Sequence, residues 1–401
     1  METIHYQSQS QLVMENVLGM KGGHGDSSYA LNSLSVQIKM VRAVIPYLER
    51  AIYEKMRVKL NGDGLFRIAD FGCATGGNTL LVADTIVRAV KRSLGEEEEP
   101  EFEVYFADLR SNDFNSLLRM MLPTQLQSCA DADNDGDTNP VAAGSYFAAA
   151  VCGSHFRRLF PRKSLHFCHS SLCLHWLSKV PEAVRERRSP RVYVSSDCEE
   201  AVGGAYLHQF NTDFTRFLNA RAEETVYGGC VFISLVGRNG GTHIMEEQGT
   251  LGDISRHFEY AFQELVNEGF IEKEKWESFN LPWFGPNPEE VESIVKRQGA
   301  FTMEHVRVLG EFPLHPMTEV RRGEKEVFGS SVGNHYRALL ENIVKAHLGC
   351  ESLTDEFFFR IGKRAAAKFE EYLSNHIELV VVMLVFLKKI TGLMRFAFHE
   401  F

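Results

Sequence analysis

The amino-acid sequence predicts an α/β protein in which a doubly wound sheet carries a mostly helical cap. Strand-like runs alternate with helix-like runs along most of the 401 residues, and a glycine-rich turn follows the first strand. Two helix-rich stretches, 251–298 and 332–374, are typical of a cap over the ligand-binding edge of such a sheet. Hydrophobic residues make up 44% of the chain, which is enough for one large domain with additions or for two domains.

Short apolar runs predict the strands, and several of them are rich in β-branched residues. These runs are 66–71, 102–107, 145–151, 165–168, 191–195, 230–236, 303–309 and 379–387.

Helical periodicity fills the intervals between the strands. Apolar residues recur at four-residue spacing from Val36 to Ile52, which predicts an amphipathic helix to about residue 60 with Ser33 as its N-cap. Further helices are predicted at 79–94, 112–122, 199–225, 251–269, 289–298, 332–348 and 354–374.

The most informative stretch is 67–78, which reads R-I-A-D-F-G-C-A-T-G-G-N. An apolar strand ends at Asp70, and Gly72, Gly76 and Gly77 lead into a helix. Glycine accepts a positive φ and lets a ligand approach the backbone, while the start of a helix presents unpaired N–H groups. The spacing D-x-G-x-x-x-G differs from the dinucleotide fingerprint G-x-G-x-x-G. It is typical of S-adenosylmethionine (SAM) methyltransferases.

Two further groups lie beyond strand ends and are predicted to share the same edge of the sheet. Asp108 ends the second strand, where a carboxylate can accept hydrogen bonds from both hydroxyls of a ribose. His175 and Trp176 follow the strand at 165–168, and both offer ring N–H donors. Core packing is the alternative interpretation of this His-Trp pair.

Composition disfavours several classes of protein. The net charge of -10 and the lack of a long basic patch argue against nucleic-acid binding. Residues 1–18 lack an apolar signal core, and the longest apolar run, 379–387, is shorter than the roughly 20 residues that span a bilayer. The 8 Cys include no C-x-x-C pair, which is typical of reduced thiols. We therefore expect a cytoplasmic protein with no nucleic-acid or membrane partner.

An acidic stretch at 131–137 reads D-A-D-N-D-G-D and matches the first half of a calcium-binding loop. The twelfth position of that loop would be Ala142 instead of Glu, so an acidic insertion is the preferred interpretation.

Several motifs in a fixed order resemble the SABATH methyltransferases of plants. These are carboxyl methyltransferases together with the caffeine-pathway N-methyltransferases. The resemblance extends from about Val17 to Lys388. The motifs are M-K-G-G-H-G-D-S-S-Y-A-L-N-S, I-A-D-F-G-C-A-T-G-G-N, Y-F-A-D-L-R-S-N-D-F-N, G-S-H-F-R-R-L-F-P, L-H-F-C-H-S-S-L-C-L-H-W-L-S-K-V-P and F-N-L-P-W-F.

The resemblance implies a Rossmann-like class I SAM-methyltransferase sheet with a mostly helical cap, SAM as cofactor, and a homodimer. Residues 1–60 would form an N-terminal lid segment and helix. Residues 61–236, 300–310 and 375–401 would form the SAM-binding domain, and residues 237–299 and 311–374 the helical cap that shapes the substrate pocket.

Family contacts to the cofactor map onto the turn and the neighbouring strand ends. They fall on Tyr29, Asp70, Cys73, Asn78, Asp108, Leu109, Ser154, His155 and Ser170. His155 stands where the family commonly has Phe near the adenine, and Phe156 follows it.

Family contacts to the substrate map onto the lid, the first long helix and the His-Trp motif. They fall on Lys21, Gln37, Leu172, His175 and Trp176. Leu172 replaces the usual Tyr, and the usual Gln aligns with Val36, next to Gln37. A magnesium site of some members maps to Ser196, Glu277, Phe279 and Asn280, with Ser196 in place of Asn, and is expected to be structural.

The expected function is methyl transfer from SAM to the carboxylate of a small aromatic acid such as cinnamate, benzoate or salicylate. No general acid or base is expected, because a carboxylate with a pKa of about 4 is ionised at neutral pH. His175 and Trp176 would position the acid. The open alternatives are a hormone or terpenoid acid (jasmonate, indole acetate, farnesoate), a purine-like ring nitrogen, an NAD(P)-dependent oxidoreductase, and a binding protein without catalytic activity.

Overall fold

The computed structural model describes residues 14–34, 36–56, 64–94, 100–121, 145–194, 198–241, 243–244, 251–313, 324–373 and 379–390. The strands are β1 Leu65–Phe71, β2 Glu101–Asp108, β3 Phe147–Cys152, β4 Leu165–Ser171, β5 Thr225–Gly237, β6 Phe301–Pro313 and β7 Leu379–Lys389. They form one sheet in the order β3-β2-β1-β4-β5-β7-β6. Strands β1 to β5 are parallel, whereas β7 pairs antiparallel with both β5 and β6. The α/β class is confirmed.

Helices connect the strands and cover the sheet. They are α1 Tyr29–Asn32, α2 Gln37–Lys55, α3 Gly77–Leu94, α4 Phe114–Met120, α5 Glu182–Glu186, α6 Glu200–Glu224, α7 Leu251–Asn267, α8 Lys273–Glu277, α9 Pro288–Gln298, α10 Lys325–Leu348, α11 Glu351–Ala367 and α12 Phe369–Leu373. A short 3-10 turn, Met14–Asn16, precedes them. Within the described residues, no helix is both long and apolar enough to cross a bilayer.

The central strands are buried because helices cover both faces of a parallel sheet. Strand β4 is buried from Leu165 to Ser170, and the last four residues of β1 are buried as well. Helix α2 packs on α3, and its buried residues Met40, Val44 and Leu48 keep the spacing that predicted it. The core of the domain therefore extends from the sheet into this helical layer.

Helices α7, α10 and α11 pack together and approach the ligand-binding edge of the sheet. The contact between α10 and α11 is close where Gly329 faces Gly362, since a Cβ on Gly329 would lie 2.5 Å from the Gly362 carbonyl oxygen. The proposed division into domains remains a prediction.

Several local predictions were wrong. Ser33 is the C-cap of the short helix α1, and α2 begins at Gln37 after Val36, which makes no side-chain capping bond. Residues 191–194 form no strand, and the Val192 carbonyl instead accepts from the Leu281 N–H at 2.8 Å. Thr225 begins β5 instead of ending α6.

Other differences concern helix boundaries. The predicted helix at 354–374 is divided into α11 and α12, and the short helices α5 and α8 were not predicted. The acidic stretch 131–137, residues 57–60 at the end of the first predicted helix, Ser195 and Ser374 lie outside the described residues.

Candidate active site

A cavity, partly open to solvent, lies where the carboxyl ends of β1, β2, β4 and β5 meet helices α1, α2, α7 and α10. Ligands bind at this edge in open α/β sheets. We call its side formed by Gly72, Ala74, Asp108 and Leu109 the glycine-turn wall, and its side formed by Leu172, His175, Trp176 and Trp283 the indole wall. The sequence had assigned the two walls to different ligands.

Gly72 shapes the glycine-turn wall. Its φ of +81° lies in the left-handed region that favours glycine. A Cβ atom here would overlap the Cys173 side chain, which also lines the cavity. The Gly72 and Cys173 backbones therefore approach each other closely, and the turn can pass beneath a ligand.

Asp108 ends β2 at the floor of the glycine-turn wall. One carboxylate oxygen accepts from the Ala74 N–H and the other from the Leu109 N–H, each at 2.7 Å. Burial raises the pKa of the Asp108 carboxyl to about 6, although both N–H groups oppose that shift. Each oxygen keeps a lone pair for a further donor, which fits the two hydroxyls of a ribose.

Asp70 does not line the cavity, but its hydrogen bonds stabilise the glycine turn. His169 lies 2.7 Å from its Oδ1, and the Thr79 hydroxyl at the start of α3 donates to its Oδ2. Beside it, Thr75 Oγ1 and Asn78 Oδ1 are buried and have no hydrogen-bond partner among the described residues. The turn therefore holds polar oxygens that a polar ligand could satisfy.

His155 lines the cavity beyond β3, with its ring 4.3 Å from that of Phe156. Burial, together with the nearby Arg221 guanidinium, lowers the pKa of His155 to about 3, so the imidazole is neutral. Arg221 is fully buried and donates to the His155 and Arg157 carbonyls, both at 2.9 Å. Ser154, also in the lining, lies in the loop that Arg221 fixes.

The N-terminal segment covers one side of the cavity through Tyr29, whose N–H donates to the Lys21 carbonyl at 2.9 Å. Burial raises the pKa of the Tyr29 hydroxyl, so it remains a neutral phenol. Lys21 does not line the cavity, because its ammonium lies 2.6 Å from the Glu341 carboxylate of α10. The segment is therefore fastened to the helices opposite the sheet.

On the indole wall, His175 and Trp176 follow β4 directly, as the sequence predicted. Burial lowers the pKa of His175 to about 3, and its Nδ1 has no hydrogen-bond partner among the described residues. Leu172 lies in the turn before them with a φ of +49°. The wall presents neutral ring nitrogens on an apolar surface.

Gln37 rather than Val36 lines the cavity, at the start of α2. Its Oε1 is buried without a hydrogen-bond partner among the described residues. The resemblance had assigned Gln37 to the substrate although the family's usual Gln aligns with Val36 beside it.

Sequence reasoning missed several lining residues. Trp283 belongs to the F-N-L-P-W-F motif but received no role, and Cys173 lies within the quoted His-Trp motif. Further apolar contacts come from Leu18, Met20, Met40, Val236, Leu251, Ile254 and Leu339. The last three lie on α7 and α10, and only the three-dimensional arrangement of those helices could identify them.

Three further predicted cofactor residues lie just outside the described lining. Cys73 is 6% exposed, Asn78 donates to the Ser33 carbonyl at 3.5 Å, and Ser170 donates to the Phe71 carbonyl at 2.9 Å. They are structural neighbours of the glycine-turn wall.

The predicted magnesium set has few suitable donors within the described part of the chain. Glu277 supplies its one carboxylate, which lies 2.9 Å from the Lys273 ammonium. Phe279 offers only backbone, Ser196 lies outside the described residues, and no group of three acidic, His or Cys side chains is found within them. Asn280 adds an amide oxygen to the set, and magnesium binding by these residues remains a prediction.

No Lys or Arg side chain occurs among the described residues that line the cavity. The charged side chains there are Asp108 and Glu15, and Glu15 lies 3.5 Å from Arg157. An anionic ligand would therefore be held by neutral N–H donors instead of an ion pair with the protein.

The chain is similar to a family of known enzymes over most of its length. A family model described as SAM dependent carboxyl methyltransferase matches residues 15–389. The chain is 36% identical to indole-3-acetate O-methyltransferase 1 of Oryza sativa subsp. japonica, over 89% of each chain. It is 33% identical to 3,7-dimethylxanthine N-methyltransferase CkTbS of Camellia sinensis var. assamica, over 94% of this chain and 98% of that one.

Among solved structures, loganic acid methyltransferase with SAH is similar to the chain at a TM-score of 0.76 and 32% identity. The match covers 94% of this chain and 99% of that chain.

Proposed function

The chain belongs to the family of SAM-dependent carboxyl methyltransferases, and on that premise we propose that its acceptor is the carboxylate of a small aromatic acid. The reaction is the transfer of a methyl group from SAM to the acid, which gives a methyl ester. The proposal for the acceptor rests on one observation: one largely apolar cavity is lined both by neutral His175 and Trp176 and by the glycine-turn wall.

The glycine-turn wall fits SAM. Asp108 would accept the ribose hydroxyls, because both of its oxygens are already oriented by backbone N–H groups. Tyr29, Leu109, Ser154 and His155 would enclose the nucleoside from the remaining sides. Asp70, Cys73, Asn78 and Ser170 would act from beneath, with the buried Asn78 oxygen available to the methionine end. SAM, when bound, supplies an electrophilic methyl group on a sulfonium.

On the indole wall, His175 and Trp176 would hold the carboxylate of the acid. A pKa of about 3 keeps His175 neutral at physiological pH, so it can donate one ring N–H but cannot serve as a general base. None is needed, because a carboxylic acid with a pKa of about 4 is already ionised. Gln37, which also lines the cavity, offers an amide group.

Rate enhancement would then come mainly from alignment and exclusion of water. Holding the carboxylate in line with the methyl group removes much of the entropic barrier of a two-molecule reaction. The apolar residues Leu172, Leu251 and Ile254 would strip water from the carboxylate and strengthen each of its hydrogen bonds. Lys21 would act indirectly, by fastening the lid segment to Glu341.

An aromatic acid is favoured by the aromatic side chains that line the cavity. The Trp176 and Trp283 rings lie 5.4 Å apart, and Leu172 adds an aliphatic side chain where the family usually has Tyr. Such a surface gains most from a planar apolar ligand. The similarity to an indole-3-acetate O-methyltransferase places indole acetate beside benzoate, salicylate and cinnamate among the acids to be tested.

Assembly as a homodimer and a cytoplasmic location are further proposals. The cysteines within the described residues are all free thiols, which supports a reducing compartment. The family resemblance alone supports the dimer, and analytical ultracentrifugation of the purified chain would decide it.

The decisive experiment is turnover with labelled SAM. The panel should contain benzoate, salicylate, cinnamate, indole acetate, jasmonate, farnesoate and xanthines, and transferred methyl should be measured for each. We expect methyl esters of the aromatic acids with the highest kcat/KM. Methyl transfer to xanthine nitrogens without ester formation would refute the proposal, as would a preference for the aliphatic acids.

A further inference from the structure

Trp283 lines the cavity although it is far in sequence from the His-Trp motif. It is 3% exposed, and its indole Nε1 is buried without a hydrogen-bond partner among the described residues. Buried N–H groups in native proteins almost always have an acceptor. Because Trp283 is one of the residues that line the cavity, an atom of a bound ligand is the candidate acceptor for this N–H.

The backbone aligns Trp283 with Trp176. The Leu177 N–H donates to the Pro282 carbonyl at 2.7 Å, and the Phe284 N–H donates to the His175 carbonyl at 2.8 Å. These two bonds flank an isolated antiparallel bridge between residues 176 and 283. The two residues thus form a non-hydrogen-bonded pair, in which the backbones are close and both side chains project to the same side.

The two indole rings consequently form one surface. Their centroids are 5.4 Å apart with an interplanar angle of 47°, and the Trp283 ring also meets Tyr193 edge-on at 6.1 Å. Contacts on both sides restrict the rotation of the Trp283 ring. Its N–H is therefore held in place before a ligand arrives, which lowers the entropic cost of binding.

We propose that Trp283 binds the substrate and that its indole N–H donates to the carboxylate of the acceptor acid, beside His175 and Trp176. The proposal rests on the carboxylate being the acceptor group of this enzyme. A buried carboxylate has about four lone-pair sites and needs donors for them. With no Lys or Arg in the described lining, a third neutral donor supplies part of what an ion pair would supply elsewhere.

A second tryptophan provides a control for the loss of a buried indole N–H that is not in the cavity lining. Trp276 on α8 is 7% exposed, and its Nε1 is likewise buried without a hydrogen-bond partner among the described residues. It does not line the cavity. The substitutions Trp283→Phe and Trp276→Phe remove the same N–H group, and only the first removes it from a residue that lines the cavity.

The test measures kcat and KM for the acid and the Kd of SAM in both variants. Trp283→Phe should raise the KM of the acid about tenfold or more, the effect of losing one hydrogen bond to a charged group, with kcat changed less than about threefold. The Kd of SAM should not change. Trp276→Phe should change none of the three constants. Trp283→His restores a ring N–H and should recover part of the lost affinity.

The choice of acids locates the acceptor atom. If the N–H reaches the carboxylate, Trp283→Phe should raise the KM of benzoate and salicylate by the same factor. A loss confined to salicylate would place the contact on the second polar group and overturn the proposal. Equal effects of Trp283→Phe and Trp276→Phe, or no effect of Trp283→Phe, would also overturn it. If the wild-type enzyme esterifies no acid at all, the failure lies in the proposed function itself.

Discussion

Replacing Asp108 by Asn tests the glycine-turn wall, because the change keeps the shape and removes the charge. Burial raises the pKa of this carboxyl from 3.8 in the unfolded chain to about 6 in the folded protein. The contribution of Asp108 to the free energy of unfolding is therefore most favourable below the unfolded pKa, and it is lost as the pH rises through about 6. At neutral pH the ionised carboxylate lowers the free energy of unfolding by at most roughly 3 kcal/mol, because one pKa unit corresponds to about 1.4 kcal/mol. Asn removes that cost.

The substitution also carries an opposing cost. The Ala74 and Leu109 N–H groups each use one carboxylate oxygen, whereas Asn has one acceptor oxygen. One N–H would therefore face the amide NH2, at a cost of about 1–3 kcal/mol. Because the two effects are similar in size and opposite in sign, we expect the free energy of unfolding of Asp108→Asn to stay within about 2 kcal/mol of wild type.

SAM affinity should respond much more strongly than stability. Loss of a charge-assisted hydrogen bond to a ribose hydroxyl costs about 1.5–3 kcal/mol, so the Kd of SAM should rise about 10- to 100-fold. Isothermal titration calorimetry with SAM and with SAH measures it. Asp113→Asn is the control, since Asp113 accepts from backbone N–H groups as the N-cap of α4 but does not line the cavity, and Asn caps a helix equally well. An unchanged Kd in Asp108→Asn would refute the role of Asp108.

Further expectations concern pH, the turn and the indole wall. The Kd of SAM for the wild-type protein should be constant above about pH 6 and rise up to tenfold per pH unit below it. The reason is that protonated Asp108 must lose its proton before it can accept from both ribose hydroxyls. A Kd that stays constant in calorimetry down to about pH 5 would contradict this expectation. Gly72→Ala should lower the free energy of unfolding, measured by urea titration, by about 1–3 kcal/mol. The φ of Gly72 is +81°, and a Cβ atom there would overlap the Cys173 side chain. An unchanged urea midpoint would contradict this expectation. Trp176→Ala should reduce kcat/KM for the acid at least about tenfold while SAM affinity stays intact, and loss of SAM binding would mean that the residue is misassigned.

The parts of the fold that follow from local pattern were predictable from the sequence. The glycine turn, Asp108 and the His-Trp pair each lie directly after a strand, and parallel strands bring their carboxyl ends to one edge. Their meeting at one cavity therefore follows from strand assignment alone. Gln37 was assigned from the family resemblance, whereas the start of its helix was not predicted, because the short helix α1 precedes α2.

Contacts between distant segments were not predictable. Trp283 reaches the cavity only through a two-bond backbone pairing with residues 175–177, and no periodicity reports such a bridge. Lys21 was assigned to the substrate from the family resemblance, and its ion pair with the distant Glu341 could not be predicted from local sequence. The segment 191–194 carried β-branched residues but lies in irregular structure beside Leu281.

The uncharged indole wall bears on the release of product. With no Lys or Arg in the described lining of the cavity, the negative charge of the acid has no counter-ion there except the sulfonium. Methyl transfer abolishes both charges at once and leaves a neutral ester beside a neutral thioether. The attraction that assembled the ternary complex therefore disappears in the step that completes the reaction, and no residual ion pair with the protein retards departure of the ester. A cationic side chain at this wall would bind the acid more tightly, but it would also hold the acid in the absence of SAM, as a complex that cannot react.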